Sequence, residues 1–149
     1  LQFVFDFDGV LVETKAAIKK AWRMAGVNPP KDFWKRPWQS WCHDPEAYEK
    51  RDEHYKKCLD MVTLLPMIEV AKATGGVILT NGSERRVLAT IEHFRITGCI
   101  VKCGLNAVQK AEELNKFSSP GVYFDDNWEN VAIIRKLTQW KVIHVVSQS

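Results

Sequence analysis

Along most of the chain, short apolar runs alternate with longer stretches in which apolar residues recur at spacings of three and four. The runs are FVF ahead of Asp6, GVILT ending at Thr80, CIVKC from Cys99, GVYFDD from Gly121 and KVIHVV from Lys141. Their length and their β-branched or aromatic content predict strands. The stretches SERRVLATIEHF, NAVQKAEELNKF and NWENVAIIRKLTQW predict amphipathic helices, with Ser83, Asn106 and Asn127 placed to cap their first turns. Strand alternating with helix predicts an α/β fold: a doubly wound, Rossmann-like parallel sheet of about five strands covered on both faces.

Residues 14–65 depart from this rhythm. They carry a helical pattern, TKAAIKKAWRMAG, an irregular stretch, VNPPKDFWKRPWQSWCHDP, and a second helical pattern, EAYEKRDEHYKKCLDMVTLL, with no convincing strand. The segment separates the first sheet strand from the second, so it predicts a small α-helical cap, 14–65, inserted into a core formed by 1–13 and 66–149. Its expected position is over the strand ends. Pro66 restarts the core with a helix, PMIEVAKAT, which leads through Gly75 and Gly76 into the second strand. Glu13 and Thr14 stand where a hinge would lie, and a closing cap would shield a site from water.

A chain of 149 residues supports one core with a modest insertion. Hydrophobic content of 46% and charged content of 26% are those of a soluble globular protein, which argues against disorder. No apolar run approaches the roughly 20 residues of a membrane span, and acidic residues interrupt the segment after Leu1, so it does not read as a signal peptide. The default expectation is a cytoplasmic protein without a membrane partner. Cys42, Cys58, Cys99 and Cys103 form no CxxC pair and are expected as reduced thiols. The net charge of +3 is too mild to argue for nucleic acid and compatible with an anionic substrate.

The chemistry is expected where the strands end. In open parallel sheets the ligand site lies beyond the carboxyl ends, near the point where strand order reverses. Asp6 and Asp8 follow the first strand, Thr80 and Asn81 the second, and Asp125 and Asp126 the fourth. Carboxylates drawn together repel unless a cation lies between them, and an oxygen-rich cluster of this kind suits Mg²⁺. A phosphate is the natural further ligand. Thr80 offers a hydroxyl, Asn81 an amide, and the turn TNGSE backbone N–H groups at a helix start. A positive side chain is expected from Lys110, with Lys102 as the alternative. Gly9 supplies the backbone freedom that the turn after Asp8 needs.

These elements resemble those of the haloacid dehalogenase-like hydrolase superfamily, in the subgroup with a helical cap inserted after the first strand. DFDGVL resembles the first motif, VILTNG the second and YFDDNWENV the fourth, in its paired-aspartate form; Lys110 fits the third, a lone basic residue. The resemblance implies a Mg²⁺-dependent phosphomonoester hydrolase in which Asp6 is the nucleophile and forms an aspartyl-phosphate. Asp8 would be the general acid and then the base. Asp126 with Asp125 would hold or orient the ion beside Asp6 and the backbone carbonyl of Asp8. Thr80, Asn81 and Lys110 would hold the phosphoryl group, and Asn130 would support the acidic loop. The expected substrate is a small phosphorylated metabolite, a nucleotide or a nucleic-acid end. A phosphomutase is the alternative enzyme, with His43 or His54 as its acid/base group on the cap. A catalytically quiet binding or scaffold module is the alternative outside enzymes.

Trp22, Trp34, Trp38 and Trp41 crowd the cap beside Lys31, Lys35 and Arg36. A small unit has few ways to bury area, so a cap core is the expected role, with nucleobase stacking as the alternative. Trp128 and Trp140 are expected to pack. Alternating charges in KAAIKK and EKRDEHYKK predict solvated helix faces.

Overall fold

The computed structural model describes residues 2–146; Leu1 and residues 147–149, the outermost parts of the expected core, lie outside the described residues. In chain order the elements are β1 (Phe3–Phe5), β2 (Val12–Glu13), α1 (Lys15–Met24), α2 (Pro45–Tyr55), β3 (Thr63–Leu64), α3 (Met67–Ala73), β4 (Val77–Leu79), α4 (Glu84–His93), β5 (Ile100–Lys102), α5 (Ala107–Asn115), β6 (Val122–Asp125), α6 (Trp128–Leu137) and β7 (Lys141–His144). Ser83, Asn106 and Asn127 each accept a hydrogen bond from a backbone N–H of the helix they precede. Asn106 adds a reciprocal bond with Gln109, which closes a capping box.

The five-stranded sheet has the order β5-β4-β1-β6-β7, and every pairing in it is parallel. The fold is α/β and doubly wound, with the Rossmann-like character that the alternation of patterns predicts. Adjacent residues of one strand serve opposite faces. Phe5 and Ile78 join the cluster that includes Ile68, Ala71 and Val87, whereas Val4 and Leu79 join Ala111, Leu114, Val131 and Ile134. After β1 the chain builds outward through β4 and β5, then returns to the other side of β1 for β6 and β7. The order therefore reverses at β1, and a crevice opens beyond its carboxyl end.

Between β1 and β4 lie α1, α2 and three single 3-10 turns, at Phe33–Lys35, Trp38–Ser40 and Leu59–Met61. Two expectations for this segment need correction. The helical pattern EAYEKRDEHYKKCLDMVTLL is helix only as far as Tyr55. Beyond it a short strand, β3, pairs antiparallel with β2, Val12 against Leu64 and Glu13 against Thr63. The chain leaves and re-enters the core through this ladder, and the return to Val12 ends the helix, because a helix continued to Leu65 would carry the chain away from its point of entry. A two-residue ladder leaves too short a pattern to read from sequence.

Candidate active site

The turn after β1 builds the floor. Gly9 adopts φ +79°, and a Cβ there would stand 1.9 Å from Asp126 Oδ2, so no larger residue fits between the first and fourth strand ends. The resulting tight loop places Asp6 and Asp8 in different surroundings.

Asp6 is buried beside Lys110 Nζ at 3.1 Å, and one of its oxygens accepts the Phe7 N–H at 2.8 Å. Lys110 projects from α5, is almost wholly buried, and reaches Asp125 at 3.2 Å as well. Asp125 is also held by the Tyr123 hydroxyl at 2.7 Å, the Asn127 N–H at 2.9 Å and the Asn130 amide at 3.4 Å. Carboxylate oxygens of Asp6, Asp125 and Asp126 lie within 4.8 Å of one another. Burial, and then the Asp125 charge, push the Asp6 carboxyl well above its usual value, against the pull of Lys110. Burial, followed by the charges of Asp125 and Asp8, raises Asp126 to about 6. Lys110 moves the other way from what burial alone would do, because Asp6 and Asp125 hold its proton above the ordinary lysine value.

Asp8 faces a guanidinium. Arg86 donates to Asp8 Oδ1 from Nη1 at 2.8 Å and to Oδ2 from Nη2 at 2.6 Å, and the Thr14 hydroxyl donates to Oδ1 at 2.7 Å. Burial works to raise the Asp8 carboxyl, but the Arg86 charge and these hydrogen bonds outweigh it and bring it below its usual value. Thr80 is buried at the end of β4, and its Oγ1 accepts the Gly82 N–H at 3.0 Å. Asn81 is exposed on the same turn.

Asp6, Asp8, Gly9, Thr80, Asn81, Lys110 and Asp126 all line one cavity of about 1040 Å³, roofed by residues of the segment between β2 and β3 that include Trp22, Trp38, Trp41 and Arg51. Asp125 and Asn130 lie behind it, and Asp125 anchors Lys110. Lys102, the alternative cation, is exposed and pairs with Glu113 at 2.6 Å. His43 and His54, named for a mutase, are not among the cavity's lining residues. Trp22 is buried against Trp38, Trp41 and Tyr48, so most of the aromatic cluster is cap core, while Trp34 stays exposed. Trp140 is buried as expected. Trp128 is not: it is 57% exposed at the cavity rim, edge-on to His144, with Arg135 over its ring. As the first residue of α6 it meets His144 of β7 on one side and leaves more than half of its surface open.

Arg86 was not visible as a site residue. SERRV carries two arginines, and helix phase sends Arg85 to Glu53 on the surface and Arg86 to Asp8. The available signal was periodicity, since Arg86 shares the buried face of α4 with Val87 and Thr90.

No family model and no curated protein matches the chain. Solved structures do. CbbY from Rhodobacter sphaeroides, in complex with phosphate, superposes with a TM-score of 0.73 at 15% identity over 97% of this chain and 85% of that one. The chain has the haloacid dehalogenase-like fold. A haloacid dehalogenase-like family hydrolase from Streptococcus pneumoniae gives 0.69 at 17% identity over 95% and 82% of the two chains. A putative beta-phosphoglucomutase from Thermotoga maritima gives 0.60 at 16% identity over 99% and 87%. Among the described residues no helix is long and apolar enough to cross a membrane.

Proposed function

We propose that this chain is a Mg²⁺-dependent phosphomonoester hydrolase working through an aspartyl-phosphate on Asp6. One observation carries the reading: a buried nucleophile candidate, a second carboxylate, a buried lysine and a three-carboxylate cluster meet at the switch point of the sheet, beneath a single cavity. In this reading the cap is the segment 14–65 over a core of 1–13 and 66–149.

The residues fit a hard divalent cation. Three carboxylates within ligand distance of one another face a single lysine, and burial, with the neighbouring carboxylate charges adding to it, raises Asp6 and Asp126. Asp6 and Asp126 would hold the ion. Asp125 already accepts four hydrogen bonds and serves to orient the group. Bound there, Mg²⁺ supplies positive charge against the phosphoryl oxygens.

A carboxylate oxygen of Asp6 attacks phosphorus, the bond from phosphorus to the ester oxygen breaks, and Asp8, which must first take up a proton against the pull of Arg86, delivers it to that leaving oxygen. Water then loses a proton to Asp8 and attacks phosphorus, which breaks the bond to Asp6 and releases inorganic phosphate. Two easier displacements replace one difficult one. Lys110 and the Thr80 turn stabilise charge on the equatorial oxygens. The absence of His43 and His54 from the cavity favours water over a sugar as the acceptor.

The test is phosphate release from a panel of phosphomonoesters that includes nucleotides and a 3′-phosphorylated oligonucleotide, with and without Mg²⁺, for the native chain and for Asp6→Asn. Mg²⁺-dependent turnover lost in the variant is expected. Folded native protein that turns over no ester would sink the hydrolase and leave the quiet binding module.

A further inference from the structure

The Asp8 carboxylate is held from both sides of the molecule. An ionised carboxylate offers about four lone-pair sites. Arg86 and Thr14 fill both on Oδ1, and Arg86 fills one on Oδ2. The remaining site is on Oδ2, and the side chain's 30% exposure is toward the cavity that Asp8 helps to line.

Arg86 is itself fixed. Its backbone N–H caps onto Ser83, and its carbonyl accepts from Thr90 Oγ1 at 2.9 Å. Thr90 Oγ1 in turn shares a 2.7 Å hydrogen bond with the hydroxyl of Tyr55, the last residue of α2, whose ring centroid lies 5.4 Å from the guanidinium. The turn after Thr80 is shaped around the same group, since a Cβ on Gly82 would come within 2.5 Å of Arg86 Nη2. Thr14, the third donor to Asp8, precedes the first residue of α1, where the chain leaves the core. A buried bidentate pair adds little net stability over apolar packing, but it fixes a planar group in one orientation.

We propose that Arg86 is a positioning residue for the reaction: its fork, with Thr14, presents Asp8 Oδ2 to the leaving oxygen, and Tyr55 ties that orientation to the cap. The assignment rests on the hydrolase reading above. Asp8 remains the group that passes the proton; Arg86 decides where its oxygen stands, although its charge also favours the ionised form of Asp8.

Two substrates separate this role from a structural one. A p-nitrophenyl ester leaves with little assistance, whereas a simple alkyl phosphate needs a proton delivered to its oxygen. General acid catalysis contributes typically 10²–10⁴-fold, so Arg86→Lys, which keeps the charge and loses the fork, is expected to lower kcat/KM, which reports transfer to Asp6, by about 100-fold for the alkyl ester. The loss in kcat/KM on the nitrophenyl ester is expected to stay below about tenfold. Added guanidinium should restore part of the alkyl activity to Arg86→Ala. Thr14→Val, isosteric and lacking only the hydroxyl, should show the same split at smaller size, and it decides the matter if the Arg86 variants do not fold. Equal losses in kcat/KM on both esters, or no split in a folded Thr14→Val, would overturn the positioning role while leaving an active native enzyme. A native chain inactive on both esters would overturn the hydrolase reading and this assignment with it.

Discussion

The floor of the cavity and its roof are organised by opposite physics. On the floor, Asp6, Asp125 and Asp126 gather near Lys110, polar groups are buried at the ends of strands, and burial, with the neighbouring carboxylate charges adding to it, raises the carboxyls of Asp6 and Asp126. In the roof, Trp22 is buried among Trp38, Trp41 and Tyr48, and Arg51 lies 5.1 Å from the Trp22 centroid and 4.3 Å from that of Tyr48. The roof lowers free energy by burying area. The floor spends some of that stability to hold like charges in place. Where a fold accepts such a cost, chemistry is the reason to look for, and where it does not, packing suffices.

The largest expected effect comes from removing the lysine that faces the three clustered carboxylates. Lys110→Met leaves buried carboxylates uncompensated and should destabilise the protein by roughly 3–5 kcal/mol, read from denaturant unfolding, while abolishing phosphate release. A loss of activity without a loss of stability would break the contrast drawn here.

Trp22→Ala should reach a similar size by another route, about 3–5 kcal/mol from lost burial and the cavity left behind. Calorimetric binding of Mg²⁺ should survive in that variant, since the Trp22 cluster contributes none of the three clustered carboxylates. Loss of Mg²⁺ binding would show that roof and floor are one unit.

A pH series sharpens the electrostatic half. Asp126 has its folded value raised from an ordinary 3.8 to about 6, so the folded state holds the proton more tightly than the unfolded one. Without divalent cation, the stability this group contributes is fully present below its ordinary value, falls as pH rises toward 6, and is absent above. Native protein should therefore lose melting temperature relative to Asp126→Asn between about pH 4 and pH 7. Added Mg²⁺ should raise the melting temperature more at the upper end of that range than at the lower, because protons compete for the same oxygens.

The smallest effect tests the exposed edge of the roof, where Trp34 lines the cavity. Trp34 is 43% exposed beside Lys15 and Lys35, and Trp34→Ala should change stability by less than about 0.5 kcal/mol. A marked rise in KM for nucleotide substrates alone would give this ring a part in recognition.

Much of this was legible beforehand because strand and helix periods are local. The apolar runs located the sheet strands, and following each to its end reached Asp6, Asp8, Thr80, Asn81, Asp125 and Asp126. The cap was less readable. A helix that stops at Tyr55 and a ladder at Thr63–Leu64 depend on where the chain must return, and that is a distance between residues far apart in sequence. Trp128 differs for a related reason: how far an aromatic at a helix start is buried depends on what other elements bring to it, and His144 of β7 covers only part of the ring.

The sequence by itself determined the α/β alternation, the capped helices and the set of polar groups at strand ends, all of which follow from side-chain period and backbone chemistry within a few residues. Only the tertiary structure decided which lysine stands beside Asp6 and that Arg86, not Arg85, grips Asp8. It also decided that Asp125 stands behind Asp126, held by donors on every side. Those choices turn on helix phase and on the approach of separate elements, and electrostatic energy between buried groups depends on distances that no local pattern encodes.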